Sequence, residues 1–212
     1  MSIKLSLSNT LSGVVTLSVI AVFAAVLVDF VKYNSKSDVK KSKRSVIATG
    51  SMIGFYVVYY LVLWLQLGAF HVWDPDADGC VVTGAMVVEH TAVILGLIGT
   101  PIIAGGALLN ILGRLQLKSN WANHIKIYEN HSLVNHGIYK VVRHQLYASI
   151  MLMLFGGSIA YRNWLSAALT AFVFIPFMYY RAKQEEALLL EEFKEYEEYK
   201  RTTGMFFPKL WR

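Results

Sequence analysis

The sequence is short of charged residues and of cysteine. Only 16% of its 212 residues are Asp, Glu, Lys or Arg, whereas an ordinary soluble domain has about 25%. Together with 55% apolar residues, this low proportion argues against an aqueous globular protein. The one cysteine, Cys80, excludes an internal disulfide framework and a cysteine-rich metal site. The net charge of +6 then indicates an anionic lipid surface as the electrostatic partner, and nucleic acid is not expected.

Long apolar segments make up most of the chain. Each of the first three is close to, or longer than, the roughly 20 residues that cross a bilayer. The last two are shorter and are separated only by Arg162 and Asn163, which predicts a helical hairpin. The sequence therefore predicts an all-α, polytopic membrane protein with about five spanning helices, at residues 11–31, 46–70, 81–113, 146–161 and 164–180.

The loops differ in charge, and this difference predicts an orientation. Residues 32–44 contain five Lys and one Arg, whereas residues 71–80 contain three Asp and no Lys or Arg. The positive-inside rule places the first of these loops in the cytosol. With five spans, the amino terminus then lies outside and everything after residue 180 is cytosolic. The membrane would be the cell membrane in a prokaryote and the endoplasmic reticulum in a eukaryote.

The first candidate for chemistry is the segment 181–201. It lacks Gly and Pro and places Leu189, Phe193 and Tyr196 on one face, which predicts a cytosolic amphipathic helix with most of its charges solvated. Arg181 and Glu185 differ from the other charges because they lie four residues apart where the helix leaves the membrane. Partial desolvation there would strengthen their interaction with a bound ligand.

The second candidate is the segment 131–147, HSLVNHGIYKVVRHQLY. Gly137 marks a turn, Lys140 and Arg143 add positive charge, and a spanning helix follows directly. The same residues would also serve as interfacial anchors. No metal is expected, because the histidines lack the spacing of paired ligands and have no cysteine beside them.

Five short motifs occur in a fixed order along the second half of the chain. They are NW at 120–121, HSLVNHGIY at 131–139, RHQLY at 143–147, RAKQEE at 181–186 and FP at 207–208. Together they resemble the isoprenylcysteine carboxyl methyltransferase family, which are integral membrane enzymes that use S-adenosylmethionine, and more broadly the related phospholipid methyltransferases. Gln145 stands where the family normally has proline, which removes a backbone restraint but no ligand side chain.

The resemblance implies one membrane domain, 1–212, with three spans in 1–113 and a cofactor-binding region in 114–212. It implies methyl transfer from S-adenosylmethionine to a lipophilic acceptor within the bilayer, first of all the carboxylate of an isoprenylcysteine. Arg181 would orient the acceptor, and Glu185 would act at the reaction centre and on the cofactor. The other cofactor contacts that the resemblance implies are His124, His131, Ser132, Leu133, Val134, Tyr139, His144, Gln145, Leu146 and Tyr147.

Several alternatives remain open on the sequence alone. The same frame would suit phosphatidylethanolamine N-methylation, in which Glu185 or a nearby histidine would accept a proton, or methylation of a small thiol. A sterol-type membrane reductase using NADPH has a similar carboxyl-terminal architecture, and a non-catalytic scaffold is a further possibility. Glu89 and His90 lie inside the third span, where ionisable groups are costly; they are predicted either to bond within the helix bundle or to contact the substrate.

Overall fold

Helices dominate the structure, a computed structural model that describes residues 2–33, 39–43, 46–65, 87–120, 125–128 and 132–209. The α-helices are α1 Ser2–Tyr33, α2 Val46–Trp64, α3 Val87–Leu117, α4 Gln145–Ala160, α5 Trp164–Leu169, α6 Ile175–Glu192 and α7 Tyr196–Thr202. Two short strands, β1 Val39–Lys43 and β2 Ile125–Tyr128, pair antiparallel. The helical fold class is confirmed for the described residues, and this strand pair is an addition to it.

Two helical stretches are long and apolar enough to cross a membrane, Val93–Leu117 and Trp164–Glu192. They correspond to the third and fifth predicted spans. The helices Gly13–Asp29, Gly54–Trp64 and Gln145–Ala160 are apolar but shorter. The other three crossings, and the orientation drawn from the loops, therefore stay predictions. The predicted acidic loop 71–80 lies outside the described residues, as do the side chains of Glu89 and His90.

Close backbone contact between α3 and α4 forms the centre of the bundle. A Cβ atom added at Gly99 would lie 2.5 Å from the carbonyl oxygen of Gly156, and one at Gly106 would lie 2.9 Å from that of Ser149. Such small residues let membrane helices approach closely. Gly105, by contrast, has no described residue within 4 Å of the same position.

This difference predicts unequal effects of two alanine substitutions on one helix. Gly99→Ala should lower the free energy of unfolding by about 1–3 kcal/mol, because α4 must move away from the new methyl group. Gly105→Ala should be neutral or slightly stabilising, since alanine favours helix and meets no neighbour. Unfolding the detergent-solubilised protein with increasing SDS measures both values. Equal effects of the two substitutions would contradict the described α3–α4 contact.

The predicted turn between the last two apolar segments is present. Arg162 takes a left-handed conformation with φ of 52°, which reverses the chain after α4. Asn163 caps α5, because its Oδ1 accepts a hydrogen bond of 2.9 Å from the backbone N–H of Ser166. A π-helical turn, Thr170–Phe174, joins α5 to α6 just before Pro176. Proline has no backbone N–H to donate, and the wider π-helical turn before it accommodates this missing hydrogen bond without ending the helix.

The predicted single helix over 181–201 is wrong, because α6 ends at Glu192 and α7 begins at Tyr196. Phe193 between them is extended, with φ of −118° and ψ of 111°. The break allows Tyr196 to be buried and the hydroxyl of Tyr199 to donate a 2.6 Å hydrogen bond to the carbonyl of Tyr139. Tertiary packing of α7 here overrides the helical preference of the local sequence.

Candidate functional site

The segment before α4 is fixed against the end of α3. Asn120 donates to the hydroxyl of Ser132 and accepts from its backbone N–H, both at 3.1 Å. Gly137 adopts the expected turn with φ of 59°, and the side chain of Gln116 lies where a Cβ would stand. The backbone N–H of Ile138 also donates to Gln116 at 3.1 Å. This turn directs the chain towards the first residues of α4.

His144 lies at the centre of a buried polar group. Its Nε2 is 3.2 Å from Oε1 of Glu186, and its Nδ1 is 3.6 Å from Oε2 of Glu185. The hydroxyl of Tyr147 donates to the same Glu185 oxygen at 3.1 Å, and its ring stacks on the imidazole at 5.5 Å. Three residues named by the resemblance, separated by up to 41 positions in sequence, thus contact one another. We call His144, Tyr147, Glu185 and Glu186 the histidine group.

Arg143 and Glu186 are two residues that the sequence analysis did not assign to the site. Nε and Nη2 of Arg143 donate to Oε1 of Glu186 at 3.1 and 3.0 Å. Nη1 donates to the carbonyls of Lys200, at 3.0 Å, and of Thr203. The sequence signal for this pair is that Arg143 belongs to the RHQLY motif and Glu186 to the RAKQEE motif, each next to a predicted site residue.

The chain after α7 returns to the histidine group, and we call residues 203–206 the return segment. The backbone N–H groups of Arg143 and His144 donate to the carbonyls of Gly204 and Met205, at 2.9 and 3.0 Å. The ring of Phe206 lies 5.9 Å from the imidazole. A Cβ at Gly204 would overlap the carbonyl of Phe207, so this position requires glycine. The return segment therefore holds the backbone that carries His144.

The protonation of His144 follows from its neighbours. Burial, the largest single effect, would lower its pKa, but hydrogen bonds and charges from Glu185 and Glu186 together outweigh burial and raise the pKa above its ordinary value. A raised pKa in the folded state means stabilisation that is fully present below about pH 6.5, the value of a free histidine. It is lost as the pH rises through the raised value.

Arg181 is a buried cation on the next turn of α6. Its Nη1 contacts the sulfur of Met52 on α2 at 3.1 Å, and its Nε has no hydrogen-bond partner among the described residues. Its charge acts on both Glu185 and Tyr56. A buried guanidinium with an unsatisfied donor is costly unless a ligand completes its hydrogen bonds.

The remaining residues that the resemblance assigns to the cofactor do not all lie in the histidine group. Ser132 bonds to Asn120, Leu133 and Val134 follow it in the same non-helical stretch, and Gln145 is buried at the start of α4. The hydroxyl of Tyr139 donates to the carbonyl of Gly113 at 3.3 Å, and Leu146 packs against the same glycine. His124 and His131 lie outside the described residues.

A chain of buried polar side chains reaches the site from the amino-terminal helix. Asp29 on α1 accepts from Arg114 at 3.1 Å, and Arg114 donates to Asn110 at 2.9 Å. Asn110 then donates to the hydroxyl of Ser149 at 2.8 Å, and that hydroxyl donates to the carbonyl of Leu146 at 2.7 Å. These bonds tie α1 and α3 to the first turn of α4.

The family of this part of the chain is decided by one comparison. Residues 97–191 match the sequence model of the isoprenylcysteine carboxyl methyltransferase (ICMT) family. This region belongs to the ICMT family. The match runs from Leu97 within α3 to Glu191 within α6. It includes the first four motifs and the whole histidine group, whereas the FP at 207–208 lies beyond it. No curated protein matches the chain.

ICMT-family proteins are membrane-associated methyltransferases. The matched region contains α3 from Leu97 to Leu117. It also contains the apolar stretch Trp164–Glu192 except for its last residue. A membrane-associated family accounts for the apolar helices of this region.

Proposed function

We propose that the protein is an S-adenosylmethionine-dependent membrane methyltransferase whose acceptor is a lipid-linked carboxylate of the isoprenylcysteine kind. The observation that carries this proposal is the position of Arg181 one turn from Glu185, inside the region of the family match. Arg181 is a buried cation whose Nε has no hydrogen-bond partner among the described residues. Glu185 is a carboxylate that is partly exposed to solvent. Together they suit one anionic and one cationic reactant.

The carboxylate of Glu185 suits the cofactor. S-adenosylmethionine would supply an electrophilic methyl group on a sulfonium centre, and it carries ammonium and hydroxyl donors that a carboxylate can bind. The Glu185 side chain is 39% exposed, whereas that of Glu186 is 2% exposed. Oε2 of Glu185 accepts a hydrogen bond from the Tyr147 hydroxyl and lies 3.6 Å from Nδ1 of His144, so we expect Oε1 to bind a ligand. We expect Glu185 to bind the cofactor and Glu186 to remain within the protein.

Arg181 suits the acceptor. A guanidinium matches a carboxylate in a bidentate manner, and burial strengthens the interaction. Met52, which contacts Arg181, lies one helical turn before Tyr56 on α2. An open apolar groove on α2 is lined by Tyr56, Val57, Tyr60, Leu61 and Trp64. A lipid chain attached to the carboxylate would lie along this groove, with its polar end at Arg181.

The reaction that follows from this arrangement needs little proton chemistry. A carboxylate acceptor is ionised at neutral pH, so it can attack a methyl carbon without a general base. Displacement then depends chiefly on aligning the nucleophile, the methyl carbon and the leaving sulfur, which positioning can supply. Arg181 would orient the acceptor oxygen, and Glu185 would fix the cofactor on the same helix.

The predicted orientation supports this assignment. If residues after 180 are cytosolic, Arg181 and Glu185 lie at the cytosolic boundary of the bilayer. A polar cofactor would then arrive from the cytosol, and a lipid-linked acceptor would remain in the membrane. Both reactants would meet without either crossing the bilayer.

Cofactor binding tests the proposal directly. Titration of the detergent-solubilised protein with labelled S-adenosylmethionine should show saturable binding, and Glu185→Gln should weaken it about 10- to 100-fold, since a hydrogen bond to a charged group contributes about 1.5–3 kcal/mol. Glu191→Gln is the matched control, because Glu191 is exposed on the same helix. Absence of binding, or equal binding by both variants, would contradict the proposal, and preference for NADPH would favour a reductase.

The acceptor requires a separate assay. The protein should be incubated with labelled cofactor and, in parallel, an S-prenylcysteine, phosphatidylethanolamine and a small thiol, with products identified by mass spectrometry. We expect label in a methyl ester of the prenylcysteine. Label in the amine lipid or the thiol instead would keep the cofactor assignment and overturn the carboxylate.

A further inference from the structure

Both ring nitrogens of His144 face carboxylate oxygens. Nε2 lies 3.2 Å from Glu186, and Nδ1 lies 3.6 Å from Glu185. A neutral imidazole has a proton on only one nitrogen, so its other nitrogen would present a lone pair to an anionic oxygen. Only the doubly protonated ring can donate on both sides. The geometry is thus matched to an imidazolium.

Glu186 is held in place by more than His144. Its Oε1 receives three donors, which are Nε and Nη2 of Arg143 and Nε2 of His144. Arg143 is itself fixed, because Nη1 donates to two backbone carbonyls at and just before the return segment. The side chain of Glu186 is 2% exposed, so water does not compete for it. Three donors and burial thus hold Oε1 of this carboxylate beside the imidazole.

The surroundings of His144 leave few other charges to consider. On α6 it is faced by Glu185 and Glu186, with Arg181 acting on the first of these. On its own segment it adjoins Arg143 and stacks on Tyr147. From α7, Nζ of Lys200 lies 4.0 Å from Oε2 of Glu186, and from the return segment only Phe206 meets the ring. The charged groups paired with the two ring nitrogens are therefore both carboxylates, which are opposite in sign to an imidazolium.

We propose that Arg143 and Glu186 are positioning residues that hold His144 as a doubly protonated cation, and that this cation fixes the carboxylate of Glu185. His144 then acts by orienting Glu185 and does not accept a proton in the reaction. The role of Glu185 towards a ligand rests on the proposed function, but the protonation of His144 does not. The histidine group consequently lacks a neutral imidazole base, which suits an acceptor that is already ionised and not an amine that must lose a proton.

The protonation state can be measured without any ligand. The full chain, labelled with ¹⁵N-histidine and held in detergent micelles, should show both nitrogens of His144 protonated at pH 7, with the signal assigned by its loss in His144→Gln. We expect a titration midpoint above the ordinary value of about 6.5. A His144 that is neutral at pH 7 would overturn the proposal, and this measurement needs no positioning variant to fold.

Two variants then test the positioning role. Glu186→Gln removes one of the two charges that raise the pKa of His144, so the titration midpoint of His144 should fall. Glu198→Gln is the matched control, since Glu198 pairs with Arg201 at 3.0 Å on the surface, and it should leave the midpoint unchanged. Equal midpoints in the two variants would overturn the role of Glu186.

Cofactor affinity separates this inference from the proposed function. The affinity of Glu186→Gln for S-adenosylmethionine should fall at lower pH than that of the wild-type protein, because His144 then loses its positive charge, and with it the attraction that fixes Glu185, at lower pH. A pH-independent affinity in Glu186→Gln would contradict the orienting role. If His144 is doubly protonated but no cofactor binds, the proposed function fails and the protonation stands.

Discussion

Replacing Arg143 with alanine is expected to lower the free energy of unfolding by about 3–5 kcal/mol, the cost of leaving one member of a buried ion pair without its partner. The change would remove two of the three donors to Oε1 of Glu186. It would also remove the donor that serves the carbonyls of Lys200 and Thr203. Because these carbonyls belong to the end of α7 and the return segment, both should detach more readily.

Two measurements check this prediction. SDS titration gives the change in stability, and limited proteolysis should cut residues 193–209 of Arg143→Ala sooner than those of the wild type. Arg201→Ala is the matched control, because Arg201 pairs with Glu198 at the surface and its side chain is 76% exposed. Exposed pairs contribute about 0–1 kcal/mol. A similar loss of stability in both variants would mean that the Arg143 contacts do not hold the carboxyl-terminal part of the chain.

The importance of Arg143 was not visible in the sequence, and the reason is physical. Arg143 and Glu186 stand in the same motifs as His144, Tyr147, Glu185 and Arg181, but a motif does not show which partner each residue contacts. Arg143 stands 57 residues before Lys200, and its contact with that carbonyl exists only because the chain reverses after α6. Glu186 lies in a run of charges, and such runs usually face solvent. Its burial is decided by α4 and the return segment and not by its own neighbours.

The sequence likewise predicted some of the helices and missed the boundary between others. Apolar runs predicted the cores of α3 and of the stretch from α5 to α6, because burial in lipid requires many consecutive apolar residues. They did not predict the end of α6, because nothing in the sequence around Phe193 breaks a helix. Tyr196 and Tyr199 bury their rings against a distant segment, and this tertiary packing sets the boundary. Local sequence therefore predicted the long apolar helices better than the carboxyl-terminal part of the chain that packs against the histidine group.

Replacing Arg181 with glutamine should reduce kcat/KM for a prenylcysteine carboxylate about 100- to 1000-fold, while the affinity for S-adenosylmethionine changes little. Loss of one member of a buried, hydrogen-bonded charge pair costs about 2–5 kcal/mol, and each 1.4 kcal/mol is a factor of ten. Glutamine keeps a polar side chain in the space beside Met52 but has neither the charge nor the forked donors. The loss should therefore fall on the acceptor, whose carboxylate needs both.

The design of the comparison follows from the site. Arg181→Lys keeps the charge without the fork and should lie between the wild type and glutamine, because it offers only a point charge to the carboxylate. Lys183→Gln is the control for charge alone, since Lys183 is exposed two residues along the same helix; it should have nearly wild-type activity. If Arg181→Gln lost cofactor affinity and acceptor turnover equally, Arg181 would serve the shared site and not the acceptor. If it instead improved turnover of an amine lipid, the cation would be repelling the true nucleophile, and the carboxylate acceptor would be wrong.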